Sequence, residues 1–428
     1  MPSTGAVSDG YHRIEVTNGC LRLGGVALRE LAETYGTPLY VIDAATIQDQ
    51  AEQFRDFWGP PFRRLLYSIK ANPNIQVIRR VLDFGFGLDA CSPGDVELAV
   101  RAGASGNKIS YTGVGLQPNE MRDLVHHGVW VNLDSSEEVE AWADVCPGCP
   151  VGLRVVPEVT AGFHPHCTSG TWGGKFGIPS ESIPSAVDLL RSHRCRITTL
   201  HAHLGSSISD ESPYIEALDR MIHLAVGMPD IQTLNLGGGI AARFHPDDSA
   251  FPLDQLRRSI VGRVRRYRQL TGRGISVELE PGEFLVSEAG YLLTRVLVTK
   301  HHVRAQREVS LAVVDGGMNL FPAHSLYGSY LHVYVDGKEV PLSSRSPTDI
   351  YGNTNQSGDR LAQARMLPLL ERGDILIVRN AGAYAYCRST QFNERPRPGE
   401  VWVEHGQHRL IREPEGLDIL YRGQVYGR

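Results

Sequence analysis

The chain has 428 residues, of which 42% are hydrophobic and 21% are charged, so it can bury a large core. At about 100 to 200 residues per domain, it is long enough for two or three domains. The formal net charge of -5, with lysines and arginines scattered along the chain, argues against nucleic-acid binding. The polar start MPSTGAVSDG lacks an apolar signal region, and no stretch approaches the roughly 18 to 20 apolar residues of a membrane helix. These features predict a cytoplasmic protein with no membrane partner.

The cysteines form an odd and widely spaced set of seven, which argues against a disulfide scaffold in a chain of this length. The tightest pair is Cys146-Pro-Gly-Cys149. A zinc or redox site would need a second such pair or histidines at ligand spacing, and the sequence offers neither. We therefore expect a surface turn here and no metal in the protein.

From about residue 64, short apolar or β-branched runs alternate with amphipathic stretches of helical length. Eight strands are predicted, at 65–71, 87–92, 108–114, 129–135, 151–157, 197–206, 233–239 and 275–282. Helices are predicted between them, for example at 93–103, 135–145, 185–193 and 216–226. Because parallel strands need helical crossovers and eight such strands can close on themselves, the pattern favours a (β/α)8 TIM-type barrel. A doubly wound sheet is the alternative.

After Pro281 the pattern changes to strands and turns with almost no helix, which indicates a second, all-β domain. Its strands are predicted at 291–303, 308–317, 330–340, 373–384 and 399–411. The segments HRIEV, CLRLGG and TPLYVID near the start also look like strands and are expected to join it. The predicted domains are thus a barrel of residues 46–284 and a β-domain of residues 1–45 and 285–428.

Unusual polar and small residues stand at the carboxyl ends of the predicted barrel strands, which is where barrel enzymes build their active sites. They are Lys70, Asp89, His203, the glycines 237–239 and Glu280. A strand-end lysine that is partly desolvated has a lowered pKa and can form a Schiff base with an aldehyde. A solvated strand-end lysine is the alternative for Lys70.

The remaining rim residues each allow a specific interaction and a plainer alternative. The triple glycine lets backbone N–H groups approach a phosphate closely, although it can also serve only to turn the chain. His203 offers an aromatic face and Ser206 a hydroxyl, whereas a core or rim histidine is the simpler interpretation. Glu280 could hold a pyridine nitrogen protonated, or it could pair with a neighbouring strand.

Taken together, these segments resemble the pyridoxal 5'-phosphate (PLP) dependent decarboxylases of the diaminopimelate and ornithine decarboxylase family. The resemblance runs through nearly the whole chain in the right order. It is carried by YSIKANPN (67–74), KFGI (175–178), HLGSS (203–207), LNLGGG (234–239), EPG (280–282), SGD (357–359) and NAGAYAY…FNERPRPGEVWV (380–403).

The resemblance implies an alanine racemase-like barrel with a C-terminal β-barrel or sandwich domain, and a cytoplasmic homodimer with shared active sites. By that likeness Lys70 is the Schiff-base lysine, His203 stacks on the cofactor ring, and Glu280 pairs with the pyridine nitrogen. The likeness also assigns cofactor contacts to Asp89, Ser206, Gly237, Gly238, Gly239 and Gly282. Tyr384 is expected to reach PLP in the partner's barrel.

This chain departs from the family pattern where the substrate would bind. Diaminopimelate decarboxylases usually read EPGR, but here Glu283 takes the place of the arginine that helps bind the distal carboxylate. A second family arginine falls at Ala323, when the segment is aligned on Asn319 and Tyr327. Each lost charge-assisted contact is worth roughly 1.5 to 3 kcal/mol, so two would weaken binding by about 10²- to 10⁴-fold. We therefore expect a substrate other than meso-diaminopimelate, with a neutral or cationic distal group that contacts Glu283 and Tyr327.

The family motif C-E-S-G-D is also changed, because its first two residues are Asn355 and Gln356 here. The cysteine is the family's expected proton donor to Cα, and an amide cannot act as a general acid. Asn355 therefore occupies the position of a catalytic residue but cannot donate the proton. Gln356 is expected to contact the substrate. The released Lys70 ammonium, Tyr384 or a bound water remain as proton donors, with Cys387 close in sequence.

The sequence thus predicts a decarboxylase of a diamino acid or a derivative, and the altered substrate positions favour a role in a specialised biosynthetic pathway. Diaminopimelate decarboxylation proper remains an alternative. So do racemisation or decarboxylation-transamination on the same scaffold. A non-catalytic PLP-binding homologue is a further alternative, although it would have no need of the complete cofactor set.

Overall fold

A computed structural model describes residues 13–17, 19–304, 307–338 and 340–425. They form two compact units. One unit contains residues 49–242 and 249–285, and the other contains the chain up to residue 48, residues 243–248 and the chain from 286 onward. His12, the first residue of the predicted HRIEV strand, lies outside the described residues. In the described ranges, no helix combines the length and the hydropathy that crossing a bilayer requires.

The amino-terminal elements mix strands with two helices. They are β1 (Ile14–Thr17), β2 (Cys20–Leu23), β3 (Val26–Ala27), α1 (Leu28–Tyr35), β4 (Leu39–Asp43) and α2 (Ala44–Glu52). Strands β1, β2 and β3 form an antiparallel sheet, while β4 joins the large sheet of the same unit. Helix α1 was not predicted; it buries Leu28, Leu31 and Ala32 on one face, which is the ordinary pattern of an amphipathic helix.

The first unit is a closed barrel of eight parallel strands, which confirms the predicted (β/α)8 fold and excludes the doubly wound sheet. The strands are β5 (Phe62–Ser68), β6 (Gly87–Ala90), β7 (Ile109–Tyr111), β8 (Trp130–Leu133), β9 (Pro150–Arg154), β10 (Arg196–His201), β11 (Thr233–Asn235) and β12 (Ser276–Leu279). All eight overlap the predicted runs, and each ends two or more residues earlier than predicted. The residues proposed to carry chemistry therefore lie at or just beyond the strand ends.

The crossover helices are α3 (Ile75–Asp83), α4 (Pro93–Arg101), α5 (Pro118–His126), α6 (Ser136–Val145), α7 (Ile183–Ser192), α8 (Ser212–Val226) and α9 (Leu253–Thr271). Several begin at side chains that satisfy the first free N–H groups. The side chains of Asn74, Ser92 and Ser135 accept hydrogen bonds from backbone N–H groups two or three residues further on. Such local capping explains why the helix positions could be read from the sequence. A short helix, α10 (Glu283–Val286), follows the last barrel strand.

The second unit is rich in strands, as predicted. It contains β13 (Gly290–Arg304), β14 (Arg307–Val314), α11 (Ala323–Tyr327), β15 (Val333–Val335), β16 (Ser346–Tyr351), β17 (Arg360–Leu367), β18 (Ile375–Arg379), β19 (Glu400–Glu404) and β20 (Gln407–Arg412). The long strand β13 organises the sheet, because its first part pairs with β4 and β18 and its second part pairs with β14. Buried side chains from β13, β14, β16, β17 and β18 pack together in its core.

Candidate active site

The rim of the barrel brings together the residues that the sequence singled out in the first unit. Lys70 lies in a single helical turn directly after β5, and Asp89 lies near the end of β6. His203 and Gly237 each follow their strands by two residues, and Glu280 follows β12 by one. Parallel strands place all of these ends on one side of the barrel. The residues predicted to form the site therefore all lie at the carboxyl-terminal end of the barrel.

The Lys70 ammonium pairs with a buried carboxylate. Its Nζ lies 3.0 Å from Oδ2 of Asp89 and donates to the Ser68 hydroxyl at 3.2 Å, while Ser68 donates to Asp89 at 2.6 Å. Ser68 and Asp89 are register partners in neighbouring strands, which fixes this geometry. Burial and the charge of Glu280 raise the pKa of Asp89, whereas Lys70 opposes the rise. The lysine side chain itself is 37% exposed, so its amine remains accessible.

Glu280 is a buried carboxylate held by two polar neighbours. Its side chain is 2% exposed, and both oxygens lie 3.2 Å from Nε2 of His201. The Asn235 amide donates to Oε1 at 2.8 Å. Burial alone would raise the pKa of Glu280, but the charge and hydrogen bond of His201, with Lys70 beyond it, bring the pKa to about 2. The site therefore keeps a negative charge in a buried position.

Glu280 stands above a row of polar side chains inside the barrel. Strand register aligns Arg154 with His201, His201 with Asn235, Asn235 with Glu278, and Glu278 with Arg64. Arg64 forms a two-pronged ion pair with Glu278, with Nε at 2.7 Å from Oε1 and a second nitrogen at 3.2 Å from Oε2. Because side chains alternate along a strand, Glu280 projects to the same side as Glu278. Two members of this row, His201 and Asn235, contact Glu280 directly and so hold its carboxylate in place.

A salt bridge lies at one end of that row. Arg154 donates to Asp134 at 2.7 Å, and the side chains are 7% and 2% exposed. The Arg154 guanidinium also lies 4.4 Å from the ring centre of Phe176, in the predicted KFGI segment. Burial raises the pKa of Asp134 and the Arg154 charge opposes that rise. The pair thus anchors the loop that follows β9.

His203 is held as a neutral imidazole. Burial, followed by the positive charges of Lys70 and Arg154, lowers its pKa to about 3. The backbone N–H of Gly238 donates to its Nδ1 at 3.2 Å, which requires an unprotonated nitrogen. A neutral aromatic ring is the state that stacking against a flat cofactor would use.

The rim glycines are required by close backbone approach. A Cβ on Gly238 would lie 2.2 Å from the Glu280 carbonyl oxygen, and one on Gly239 would lie 2.1 Å from the Gly205 carbonyl oxygen. A Cβ on Gly282 would lie 2.9 Å from the Cβ of Ser68, beside the Lys70 turn. These glycines therefore bring neighbouring rim loops into contact. The N–H of Gly237 donates to the Asn235 side chain at 2.8 Å, so this N–H and that of Gly238 already have partners within the rim.

Glu283 lies in the same unit, next to the HLGSS loop that contains Ser206. Its Oε1 accepts hydrogen bonds from the Ser207 hydroxyl at 2.7 Å and from the Ala242 N–H at 3.4 Å. The residue is 9% exposed, and burial raises its pKa while Ser207 and Ala242 oppose the rise. Ser207 has a φ of 53°, so it reaches Glu283 from a strained backbone conformation. The carboxyl group of Glu283 is therefore buried and held in place by hydrogen bonds beside the HLGSS loop.

The other predicted residues lie in the second unit, where they share one group of loops. Tyr327 ends α11, and the Arg388 guanidinium donates to its hydroxyl at 2.8 Å. The same guanidinium lies 5.9 Å from the ring centre of Tyr384. Tyr384 has a φ of 54°, a conformation that a tyrosine rarely adopts. Ala323, where the family arginine was expected, begins α11.

Asn355 and Gln356 are exposed residues of a loop that Asp359 organises. The buried Asp359 carboxylate accepts hydrogen bonds from the Met318 N–H at 2.6 Å and the Thr354 N–H at 2.9 Å. The Asn355 N–H donates to the side chain of Asn393 at 2.7 Å. Asp359 thus joins the loop after β14 to the loop that contains Asn355.

Four polar residues of the barrel site were not predicted from the sequence: Ser68, Arg154, His201 and Asn235. For three of them a usable signal was present, because Arg154, His201 and Asn235 are each the last residue of a strand in a register row. A charged or polar residue at the end of an otherwise apolar strand points to the rim or interior of a barrel. The fourth residue, Ser68, carried the same signal, because it is the last residue of β5.

A family model described as "Pyridoxal-dependent decarboxylase, pyridoxal binding domain" matches residues 44–287 of the chain. The chain is 36% identical to the diaminopimelate decarboxylase of Methanothermobacter thermautotrophicus, over 96% of this chain and 97% of that protein.

Solved structures show the same architecture. The diaminopimelate decarboxylase of M. jannaschii in complex with L-lysine superposes with a TM-score of 0.89 at 26% identity, covering 98% of this chain and 99% of that one. A lysine/ornithine decarboxylase of Vibrio vulnificus with putrescine has a TM-score of 0.74 at 23% identity, covering 88% and 97% of the two chains. This second likeness concerns the fold alone.

Proposed function

Because the chain belongs to the family of pyridoxal-dependent decarboxylases, we propose that it releases CO2 from an amino acid whose distal group is not a carboxylate. The family makes the chain a PLP-dependent carboxy-lyase that acts on amino acids. We further propose that residues 46–284 form the cofactor domain, that the rim residues described above form its site, and that two chains assemble into a homodimer. A cytoplasmic location stays a prediction.

The residues at the barrel rim fit the cofactor chemically. An accessible primary amine at Lys70 matches the aldehyde of PLP, and an ionised buried carboxylate at Glu280 matches a protonated pyridine nitrogen. The neutral ring of His203 suits stacking, and Ser206 and Gly239 would hold the phosphate. Gly237 and Gly238 would shape the phosphate loop, because their N–H groups already donate to Asn235 and His203. Asp89 would keep the Lys70 side chain in place, and Gly282 would keep the adjoining loop close to the lysine turn.

When bound, PLP accepts the electrons of the Cα–carboxylate bond as CO2 leaves. The chain's own residues set the conditions for that step. His201 and Asn235 keep Glu280 negative, so that a proton is retained on a base placed against it. Tyr384 would approach from a partner subunit.

A proton must return to Cα after CO2 leaves, and Asn355 cannot supply it. Lys70 Nζ holds protons at the rim and is hydrogen-bonded to Ser68 and Asp89, which favours it as the donor. Cys387 is also protonated near neutral pH, because burial raises its pKa to about 11. Lys70, Tyr384 and a bound water are the proposed donors, and Cys387 is considered only because it lies close to Tyr384 in the sequence.

The observation that carries the substrate proposal is the buried acid at Glu283. A distal carboxylate placed near Glu283 would meet a like charge, or would require that charge to be neutralised. An amide, hydroxyl or ammonium group could instead donate to it. The names of the relatives favour a second candidate, meso-diaminopimelate, since the relative at 36% identity is called a diaminopimelate decarboxylase.

We propose a homodimer in which the loop cluster of Tyr327, Asn355, Gln356 and Tyr384 completes the barrel site of the partner. The support is twofold: the family likeness, and the grouping of these loops around Asp359 and Arg388 within one unit. Gel filtration with light scattering of the PLP-loaded protein tests the dimer. Mixing a Lys70→Ala chain with a Tyr384→Phe chain tests the sharing, because a shared site regains activity in the mixed dimer.

The deciding experiment measures CO2 and amine formation by the PLP-loaded protein, with Lys70→Ala as the control. The panel contains meso-diaminopimelate, lysine, ornithine, arginine, carboxynorspermidine and N-acylated or citryl diamino acids. We expect turnover of a substrate without a distal carboxylate, and none by Lys70→Ala. Efficient turnover of meso-diaminopimelate would overturn the substrate proposal. Racemised product, or bound PLP with no product from any substrate, would instead favour the racemase or the non-catalytic alternative.

A further inference from the structure

The Cys146-Pro-Gly-Cys149 segment has no part in the proposed reaction. It forms a tight turn directly after α6, in which the Cys149 N–H donates to the Cys146 carbonyl oxygen at 3.2 Å. Gly148 has a φ of 79°, which suits the third position of a turn with proline before it. The sequence predicted this turn. It did not predict which residue faces it.

A third cysteine lies opposite the turn. Strands β9 and β10 are parallel neighbours, and the register aligns Pro150 with Arg196. Cys149 and Cys195 are the residues immediately before these two, so they occupy the next facing positions. Neighbouring strands are about 4.8 Å apart, which is within the Cα separation of roughly 4.4 to 6.8 Å that a disulfide spans.

The contacts of Cys195 place its thiol against the turn. Its Sγ donates to the Cys146 carbonyl oxygen at 3.6 Å. Burial raises the pKa of the Cys195 thiol, while the N–H groups of Gly148 and Cys149 oppose that rise. These N–H groups also donate to the carbonyl oxygens of His193 and Cys146, so they lie beside the sulfur as part of the turn that faces it.

The three cysteines differ in access to solvent. Cys146 and Cys195 are buried, whereas Cys149 is half-exposed. A small oxidant therefore reaches Cys149 first, and a buried thiol next to it can complete the reaction. Cys195 has the position that faces Cys149 across the strands, whereas Cys146 lies in the same turn as Cys149, and burial raises the pKa of Cys146 to about 11.

We propose that Cys149 and Cys195 are an oxidation site, at which hydrogen peroxide produces a disulfide between the bases of β9 and β10. The Cys149 thiolate attacks one peroxide oxygen, the O–O bond breaks, and the departing hydroxide takes up a proton to become water. Cys195 then attacks the sulfur of the resulting sulfenic acid, and the S–O bond breaks to release a second water. Two thiols are oxidised, and one peroxide is reduced to two waters.

The location separates this site from the proposed catalysis. Cys149 and Cys195 precede β9 and β10, whereas Lys70, His203 and Glu280 follow the carboxyl ends of their strands. In a parallel barrel these are opposite ends. We therefore expect the disulfide to form without loss of bound PLP, which the cofactor's absorbance reports independently of turnover.

The test treats the PLP-loaded protein with hydrogen peroxide and counts thiols after denaturation. The count should fall by two, from the seven thiols of the sequence to five, and dithiothreitol should restore it. Trypsin would release Cys195 with Arg196 alone, still linked to the peptide 123–154, which contains both other cysteines. Fragmentation at Pro147 and Gly148 then decides which of the two is linked. A bond between Cys146 and Cys149, or between Cys146 and Cys195, would overturn the proposal.

Three variants make the test sharper. Cys149→Ser should abolish the loss of two thiols, while Cys195→Ser should leave a sulfenic acid on Cys149 that dimedone labels. Cys20→Ser is the matched control, because Cys20 is also half-exposed but lies in the other unit, and this variant should still form the bond. Equal peroxide sensitivity of Cys149→Ser and the unmodified chain would overturn the proposal.

Discussion

Both carboxylate oxygens of Glu280 lie 3.2 Å from Nε2 of His201, in a part of the barrel where each side chain is only 2% exposed. A carboxylate without water would normally take up a proton. The imidazole reverses that tendency, and the pKa of Glu280 is brought to about 2. His201 is therefore a positioning residue that acts on the proposed cofactor through Glu280.

Replacing His201 by alanine should weaken PLP binding by about 10- to 100-fold, because a charge-assisted contact of roughly 1.5 to 3 kcal/mol is lost at Glu280. Titration of the apoprotein with PLP, followed by absorbance, measures this. The pKa of Glu280 should rise, so the cofactor spectrum should become sensitive to pH in a range where the unmodified chain is constant. Replacement of the exposed His223 is the control. Unchanged affinity and spectrum would remove His201 from this role.

Replacing Glu283 by glutamine should stabilise the protein near neutral pH by about 1 kcal/mol, since it removes a buried charge but keeps an acceptor for Ser207. Burial raises the pKa of Glu283 above 4.5, so its carboxyl binds a proton more tightly in the folded state. Its contribution is favourable below that value and is lost as the pH rises through the folded pKa. Urea unfolding at pH 5 and pH 8 should show a larger gain for the variant at pH 8. A gain that is the same at both pH values would contradict this assignment.

Replacing Arg154 by methionine should cost about 3 to 5 kcal/mol, because it leaves Asp134 as a buried charge without its 2.7 Å partner. Replacing both Arg154 by methionine and Asp134 by leucine should recover most of that loss. Denaturant unfolding of the two single variants and the double variant measures the coupling. If the double variant loses the sum of the two single losses, the pair does not act as a unit.

Replacing Asp359 by alanine should destabilise the second unit by about 3 kcal/mol or more, since the carboxylate accepts three hydrogen bonds from Met318 and Thr354. Asparagine should cost less, because it retains one acceptor oxygen. Hydrogen exchange of the loops at 316–319 and 352–356 would locate the effect. The exposed Ser357→Ala is the matched control. Unchanged exchange in both loops of the alanine variant would show that the carboxylate does not join them.

Two differences between the predicted and observed strands have clear physical causes. The run 399–411 was predicted as one strand, but His405 and Gly406 both have positive φ and turn it into the hairpin of β19 and β20. Strand β17, with the sequence RLAQARML, was missed because its residues favour a helix. Pairing with β16 overrides that preference.

By itself, the sequence determined the eight barrel strands, most crossover helices and the position of Lys70, Asp89, His203 and Glu280 at strand ends. It could do so because apolar periodicity, caps and turns act within a few residues of the chain. Only the tertiary structure decided that His201 faces Glu280, that Arg154 pairs with Asp134, and that the Cys195 thiol lies against the turn that begins at Cys146. These relationships depend on strand register around a closed barrel, which brings together residues that no local pattern connects.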